Sequence, residues 1–79
     1  MKIVARKGMS YLIDAGEGEW WLFVSSDNEV YKGVDFQNQL TRGGWKETDG
    51  GALAEGILAA VKKAKVFDVR KGREPSVTG

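Results

Sequence analysis

Cysteine and histidine are both absent from the 79 residues of this chain, and proline occurs only once. Without cysteine there are no disulfide bridges, no thiolate metal ligands and no cysteine nucleophile. Without histidine, the side chain that most often acts as a general base near neutral pH is missing as well. These absences predict a protein that is not an enzyme and that uses no cofactor and no metal.

Long apolar runs are also missing. The longest apolar stretch, from Ala52 to Val61, is interrupted by Glu55 and falls far short of the about 20 residues that a bilayer requires. The chain meets Lys2, Arg6 and Lys7 before any apolar run of seven residues, which is not the pattern of a signal peptide. We therefore expect a cytoplasmic protein that does not contact membranes.

A chain of this length has room for a single hydrophobic core. We expect one domain over residues 1–70, followed by a tail at 71–79 that frays because it is polar and contains the only proline. The net charge is +1, but the charges are segregated. Acidic residues concentrate between Asp14 and Asp35, and basic residues concentrate after Val61.

The first half of the chain has the pattern of a β-meander, because short β-favouring runs alternate with Gly, Asp and Asn. Two turns are clear: the glycine-rich segment 15–18, and Asp27-Asn28, which we expect to form a two-residue hairpin turn. The predicted strands are Lys2 to Lys7, Met9 to Asp14, Glu19 to Ser26 and Glu29 to Asp35.

The second half predicts one clear helix, from Gly50 to about Lys65, with Asp49 as its N-cap. Its apolar stripe comprises Leu53, Ile57, Ala60, Val61 and Ala64. Residues 36–48 fit either a hairpin returning through Trp45 or a helical turn, and we favour the hairpin. Residues 66–69 alternate weakly, as an edge strand would. The expected fold is α+β, a small antiparallel β-meander of four to five strands followed by one C-terminal helix packed on one face.

The segment from Glu19 to Ser25 is apolar on both faces, because alternation places Trp20, Leu22 and Val24 on one face and Trp21 and Phe23 on the other. One helix covers only one face of a small sheet. The other face therefore either receives the segment from Phe36 to Trp45 or offers its aromatic rings to a partner. The leading hypothesis is a small protein-binding module of the regulator or inhibitor type, with acidic residues around an aromatic face comprising Trp21, Phe23, Tyr31 and Lys32.

A single-stranded nucleic-acid-binding protein is the first alternative, because aromatic side chains on a β-sheet can stack on bases while basic side chains bind the phosphates. Its basic residues would be Lys62, Lys63, Lys65, Arg70, Lys71 and Arg73. The order of strands followed by a helix is similar to that of Pur-type and whirly-type nucleic-acid-binding modules, although no motif of either family occurs here. The acidic residues between Asp14 and Asp35 disfavour this alternative, because they lie on the same hairpins as the aromatic residues.

A homodimer with no separate ligand is the second alternative. Ala52, Gly56 and Ala60 recur at four-residue spacing along the predicted helix, which allows another backbone to approach closely. The simpler interpretation of Gly56 is that it lets the helix fit closely against the sheet, since a glycine within a helix costs up to about 1 kcal/mol relative to alanine. The expected partner is therefore another protein or a second copy of the chain.

Overall fold

A computed structural model describes residues 1–71, which form one sheet of six strands with a helix on each face. The strands are β1 Lys2–Lys7, β2 Ser10–Gly16, β3 Glu19–Val24, β4 Glu29–Lys32, β5 Lys46–Glu47 and β6 Lys65–Asp68. Their order in the sheet is β5-β1-β2-β3-β4-β6. Neighbouring strands are antiparallel except for β4 and β6, which are parallel. The predicted α+β fold, a meander followed by a C-terminal helix, is confirmed.

The hairpin between β2 and β3 closes through a two-residue turn, because Gly16 pairs with Glu19. The two residues between them, Glu17 and Gly18, both have positive φ (56° and 78°). This is the backbone of a type I′ turn, whose twist matches that of the flanking strands.

The hairpin between β3 and β4 is present, but its loop is longer than the predicted Asp27-Asn28 turn. Val24 pairs with Glu29, so four residues, 25–28, form the loop. The reason is local. The Asp27 N–H donates to the Val24 carbonyl at 3.2 Å and closes a turn that begins at Val24, two residues before the start of the predicted turn. β4 ends at Lys32 rather than Asp35, since Gly33 turns the chain at a φ of 78°.

One face of the sheet is covered by α2, Ala54–Lys63. Ile57 and Val61 are buried against a cluster of sheet residues, namely Ile3, Tyr11, Ile13, Phe23 and Val30. The helix begins later than predicted, because a 3₁₀ turn, Gly51–Leu53, precedes it. Leu53 is 62% exposed for the same reason and is not part of the buried stripe.

The predicted N-cap role of Asp49 is wrong. Its Oδ1 accepts a hydrogen bond from the Gly51 N–H at 2.8 Å, which closes a local turn ahead of the helix. Gly50 occupies the position before the 3₁₀ turn, with a φ of 91°. A Cβ at this position would lie 2.8 Å from Ile3 Cδ1, so only glycine fits between the turn and β1.

The opposite face is covered by α1, Phe36–Thr41, together with Trp45. The favoured hairpin for residues 36–48 is therefore wrong. Asp35 caps α1, since its Oδ1 accepts a hydrogen bond from the Asn38 N–H at 3.1 Å. The Phe36 ring stacks on Trp20 with a centroid distance of 4.0 Å, and Gln39 is fully buried beneath the helix. No helix within residues 1–71 has the length and apolar character needed to cross a bilayer.

The edge strand predicted at residues 66–69 is present as β6, one residue earlier. The chain returns from α2 to lie parallel to β4, so that Val66 is beside Val30 and Phe67 is beside Tyr31. β6 therefore forms one edge of the sheet, and β5 forms the other.

Replacing Phe36 with alanine tests whether α1 closes its face of the sheet. Because the ring is half-buried and stacked on Trp20, we expect F36A to lower the free energy of unfolding by about 2 kcal/mol in urea denaturation. Q37A is the matched control, since Gln37 is exposed on the same helix, and it should change that free energy by less than about 0.5 kcal/mol. Equal stability of F36A and Q37A would show that α1 does not cover this face.

Candidate functional site

The outer edge of β6 is open, since no strand within residues 1–71 pairs with it. On the inner side, the Lys65 N–H donates to the Asn28 carbonyl at 3.0 Å, which sets the phase of the parallel ladder. Alternate residues of a strand in such a ladder direct their backbone groups to opposite sides. Lys65 and Phe67 therefore bond to β4, whereas the N–H and C=O groups of Val66 point outward.

Two exposed apolar side chains flank these outward groups, one on each face of the sheet. Val66 is 56% exposed and Phe67 is 41% exposed. Val66 shares the α2 face with Val30, and Phe67 shares the α1 face with Tyr31. The Phe67 and Tyr31 rings are stacked, with a centroid distance of 5.1 Å and an interplanar angle of 19°. A strand docked at this edge would thus meet apolar surface on both sides.

A cavity of about 200 Å³ adjoins the edge on the α2 face. Its lining combines apolar and basic side chains, principally Trp21, Val30, Lys32, Val61, Lys62 and Val66. Sites for drug-sized ligands are larger, at about 300–1,000 Å³. The cavity therefore suits one apolar side chain rather than a cofactor.

The Trp21 indole is held in place beside this cavity by two polar contacts. Its Nε1–H donates to Glu19 Oε1 at 3.2 Å, and Lys32 Nζ lies 4.5 Å from the ring centroid on one face. A cation over an indole ring is attracted by the negative charge of the ring face. Trp21 is half-buried, so part of the ring forms a rigid wall of the cavity.

Arg70 forms ion pairs with two acidic side chains at this corner of the sheet. Its Nε and Nη2 donate to the two carboxylate oxygens of Asp68, both at 2.9 Å, and Nη2 also donates to Glu19 Oε1 at 3.3 Å. The hydrogen bond to Asp68 raises the pKa of Arg70 above its ordinary value. Gly33 leaves room for this arrangement, because a Cβ there would lie 2.6 Å from Arg70 Nε.

The residues predicted for protein binding do not share one face. Trp21 and Lys32 lie together beside the cavity, but Phe23 is only 2% exposed and belongs to the core beneath α2. Tyr31 lies on the opposite face, because it pairs with Leu22 rather than with Trp21 or Phe23. Three of the four residues nevertheless lie near the β6 edge. Trp21 and Lys32 are on the α2 face, and Tyr31 is on the α1 face.

The residues predicted for nucleic-acid binding are divided as well. Lys62, Lys63 and Lys65 are exposed near the end of α2, whereas Arg70 is paired with Asp68 and Glu19. The Lys71 side chain and Arg73 lie outside the described residues. Several rings that could stack on bases already have partners within the protein, as in the Trp20–Phe36 and Tyr31–Phe67 pairs.

Gly56 does not serve close packing of the helix on the sheet, as its simpler interpretation supposed. It is exposed, and a Cβ at this position would meet no atom within 4 Å. It lines a second apolar cavity of about 250 Å³, which includes Phe23, Leu53 and Ala60. The cavity lies between α2 and the loop that joins β3 to β4, since Ser25 and Asn28 also line it.

Val66 and Phe67 are the residues that sequence reasoning missed. The alternation at 66–69 predicts an edge strand, and an edge strand with an apolar side chain on each face is itself a signal for strand addition.

The Tyr31 hydroxyl provides a test of this corner of the structure. It donates to Glu29 Oε1 at 2.8 Å, and burial, followed by this hydrogen bond, raises the pKa of Tyr31 from 10.0 to about 12. Because the pKa is raised, the folded state keeps the Tyr31 proton at pH values where the unfolded state loses it. The contribution of Tyr31 to the free energy of unfolding is therefore complete below pH 10 and declines between pH 10 and 12. Absorbance at 295 nm should show a tyrosinate step near pH 12 that Y31F lacks. A step near pH 10 that disappears in Y31F would contradict the hydrogen bond.

No protein-family model matches this chain, and no curated protein or solved structure shows significant similarity to it.

Proposed function

We propose that this protein is a non-catalytic binding module that takes an extended segment of another protein onto the outer edge of β6. The observation that carries the proposal is that the outward N–H and C=O groups of Val66 lie between two exposed apolar side chains, Val66 on one face and Phe67 on the other. Strand addition uses these two features together, since main-chain hydrogen bonds supply affinity and side-chain contacts on alternate faces supply specificity.

The contrast between the two edges of the sheet supports this role. β5 contains only Lys46 and Glu47, which are both charged and exposed. Short, charged edge strands are a common protection against unwanted pairing. β6 has no such protection at its centre, where Val66 and Phe67 stand between Lys65 and Asp68.

The chemistry of the side chains near the edge supports binding rather than catalysis. The chain contains neither histidine nor cysteine. Glu19 and Asp68 are both engaged by Arg70, and Glu29 accepts a hydrogen bond from Tyr31. Carboxylates held in this way are suited to fixing the shape of the edge. A cytoplasmic setting is part of the proposal, since a chain without cysteine is compatible with a reducing compartment.

A proline at position 66 tests strand addition directly. Proline removes the outward N–H, but it should leave the β4 ladder intact because that ladder uses the neighbouring residues. Seven-residue peptides selected from a random display library against the full chain serve as ligands. We expect V66P to bind them at least tenfold more weakly in fluorescence anisotropy, because it loses a main-chain hydrogen bond and its ring obstructs the incoming strand.

V66A is the matched control, since it shortens the side chain but keeps the N–H, and it should lose only about two- to fivefold in affinity. Circular dichroism should show that both variants are folded. Selected peptides that bind V66P as tightly as the unmodified chain would contradict strand addition, and so would a selection that enriches no peptide family.

A further inference from the structure

We infer that the β6 edge recognises an acidic segment, in which a carboxylate lies two residues away from an apolar side chain. This inference rests on the proposed function, since it specifies the chemistry of the segment that the edge binds. It follows from the charges around the cavity beside Trp21, the spacing of side chains along a strand, and the state of the neighbouring carboxylates.

The cavity beside the edge has two basic side chains in its lining, Lys32 and Lys62. The ion pairs found within residues 1–71 join Arg70 to Glu19 and Asp68, so neither lysine has a carboxylate partner there. Lys32 lies over the Trp21 ring, and Lys62 is exposed at the end of α2. An apolar cavity with two cations of this kind favours a ligand that combines an apolar group with a negative charge.

The α2 face near the edge carries two acidic side chains, Glu19 and Asp68, against three basic ones, Arg70, Lys32 and Lys62, so it is net positive. Asp68 is the acid of β6, and Arg70 binds its two carboxylate oxygens. Glu19 accepts from both Trp21 and Arg70, and Glu29 accepts from the Tyr31 hydroxyl. These carboxylates contact Arg70, Trp21 or Tyr31 rather than Lys32 or Lys62, which leaves the two lysines available to an incoming acid.

The geometry of an added strand fixes the spacing. A residue opposite Val66 would direct its side chain over the cavity, since Val66 itself lines it. The residues two positions away lie on the same face, about 6.6–6.8 Å along the strand. Lys62 and Lys32 lie toward the two ends of β6 on that face, because Lys62 is in the last turn of the preceding helix and Lys32 pairs with Asp68. The residue between would face Phe67 and Tyr31, where an apolar side chain fits best.

A second copy of the chain is the main competitor for this edge, because Val66, Phe67 and Asp68 themselves follow the order apolar, apolar, acidic. One observation favours a different protein. The carboxylate of Asp68 is already held by Arg70, so a second copy does not offer a free acid to Lys32 and Lys62. An acidic partner would be attracted by the same lysines.

Peptides selected from the random library against the full chain provide the test. We expect enriched sequences to contain Asp or Glu two residues from an apolar side chain. Changing that acid to its amide in the synthetic peptide should weaken binding about fivefold at low salt, as expected for the loss of two exposed charge contacts. The double variant K32Q/K62Q should show a similar loss, and both effects should shrink as the salt concentration rises.

The matched control is K46Q/K63Q, which removes the same total charge. Lys46 lies on the opposite edge of the sheet, and Lys63 is the helix neighbour of Lys62 but does not line the cavity. Its affinity should stay within about twofold of the unmodified chain, since distant charges are screened by salt. K62Q alone provides a second variant at an exposed position, where the fold does not depend on the side chain.

The outcomes separate this inference from the proposed function. If amide and acid peptides bind equally while V66P still abolishes binding, acid recognition is overturned and strand addition stands. If no peptide family is enriched, the proposed function is overturned as well. A concentration-dependent dimer in sedimentation that V66P abolishes would show that the occupant is a second copy and would overturn the acidic partner.

Discussion

Strand β3 has large apolar side chains on both of its faces, so the chain is stable only if something covers each face. α2 covers the face of Trp21 and Phe23, while α1 and Trp45 cover the face of Trp20 and Leu22. The two short helices cover mainly β2 and β3, and they bury less of the side-chain surface toward β6. The exposed Val66 and Phe67 lie where the cover ends. The same constraint thus explains both the stability of the centre and the apolar edge.

The two edges of the sheet differ in a way that turns this thin cover into a surface for binding. β5 is short and charged, whereas β6 has apolar side chains beside a cavity and a stacked aromatic pair. The corner is also organised in advance of binding. Glu19 holds the indole of Trp21, Arg70 holds Glu19 and Asp68, and Gly33 leaves room for Arg70. A surface fixed in this way loses less conformational entropy when a partner binds.

Much of the fold could be predicted from local chemistry. Turn residues marked the hairpins, and the helical spacing of Ile57 and Val61 marked α2. α1 corresponds to the less favoured alternative, a helical turn, because its six residues are too few to show a helical period and are mostly polar, so only the cap at Asp35 distinguishes it from a loop. Alternation within one strand also cannot show which face a neighbouring strand shares. That depends on the length of the connecting loop.

The position of Tyr31 illustrates this last point. Any hairpin with an even-numbered loop between β3 and β4 places Tyr31 on the face of Leu22 and Val24, and the loop has four residues. The information was therefore present in the sequence, but it lay in the register between strands. Phe23 was the wrong choice for a different reason, because an aromatic side chain on a central strand is more often core than interface, and here it is buried by α2.

The open edge of β6 can be measured directly by amide hydrogen exchange in the free protein, followed residue by residue with NMR. Lys65 and Phe67 donate toward β4 and should exchange slowly, whereas Val66 between them points outward and should exchange at a rate close to that of an unstructured peptide. This alternation would confirm that the backbone groups needed for strand addition are available. A Val66 amide as strongly protected as that of Phe67 would show that the edge is already covered, and would contradict the account.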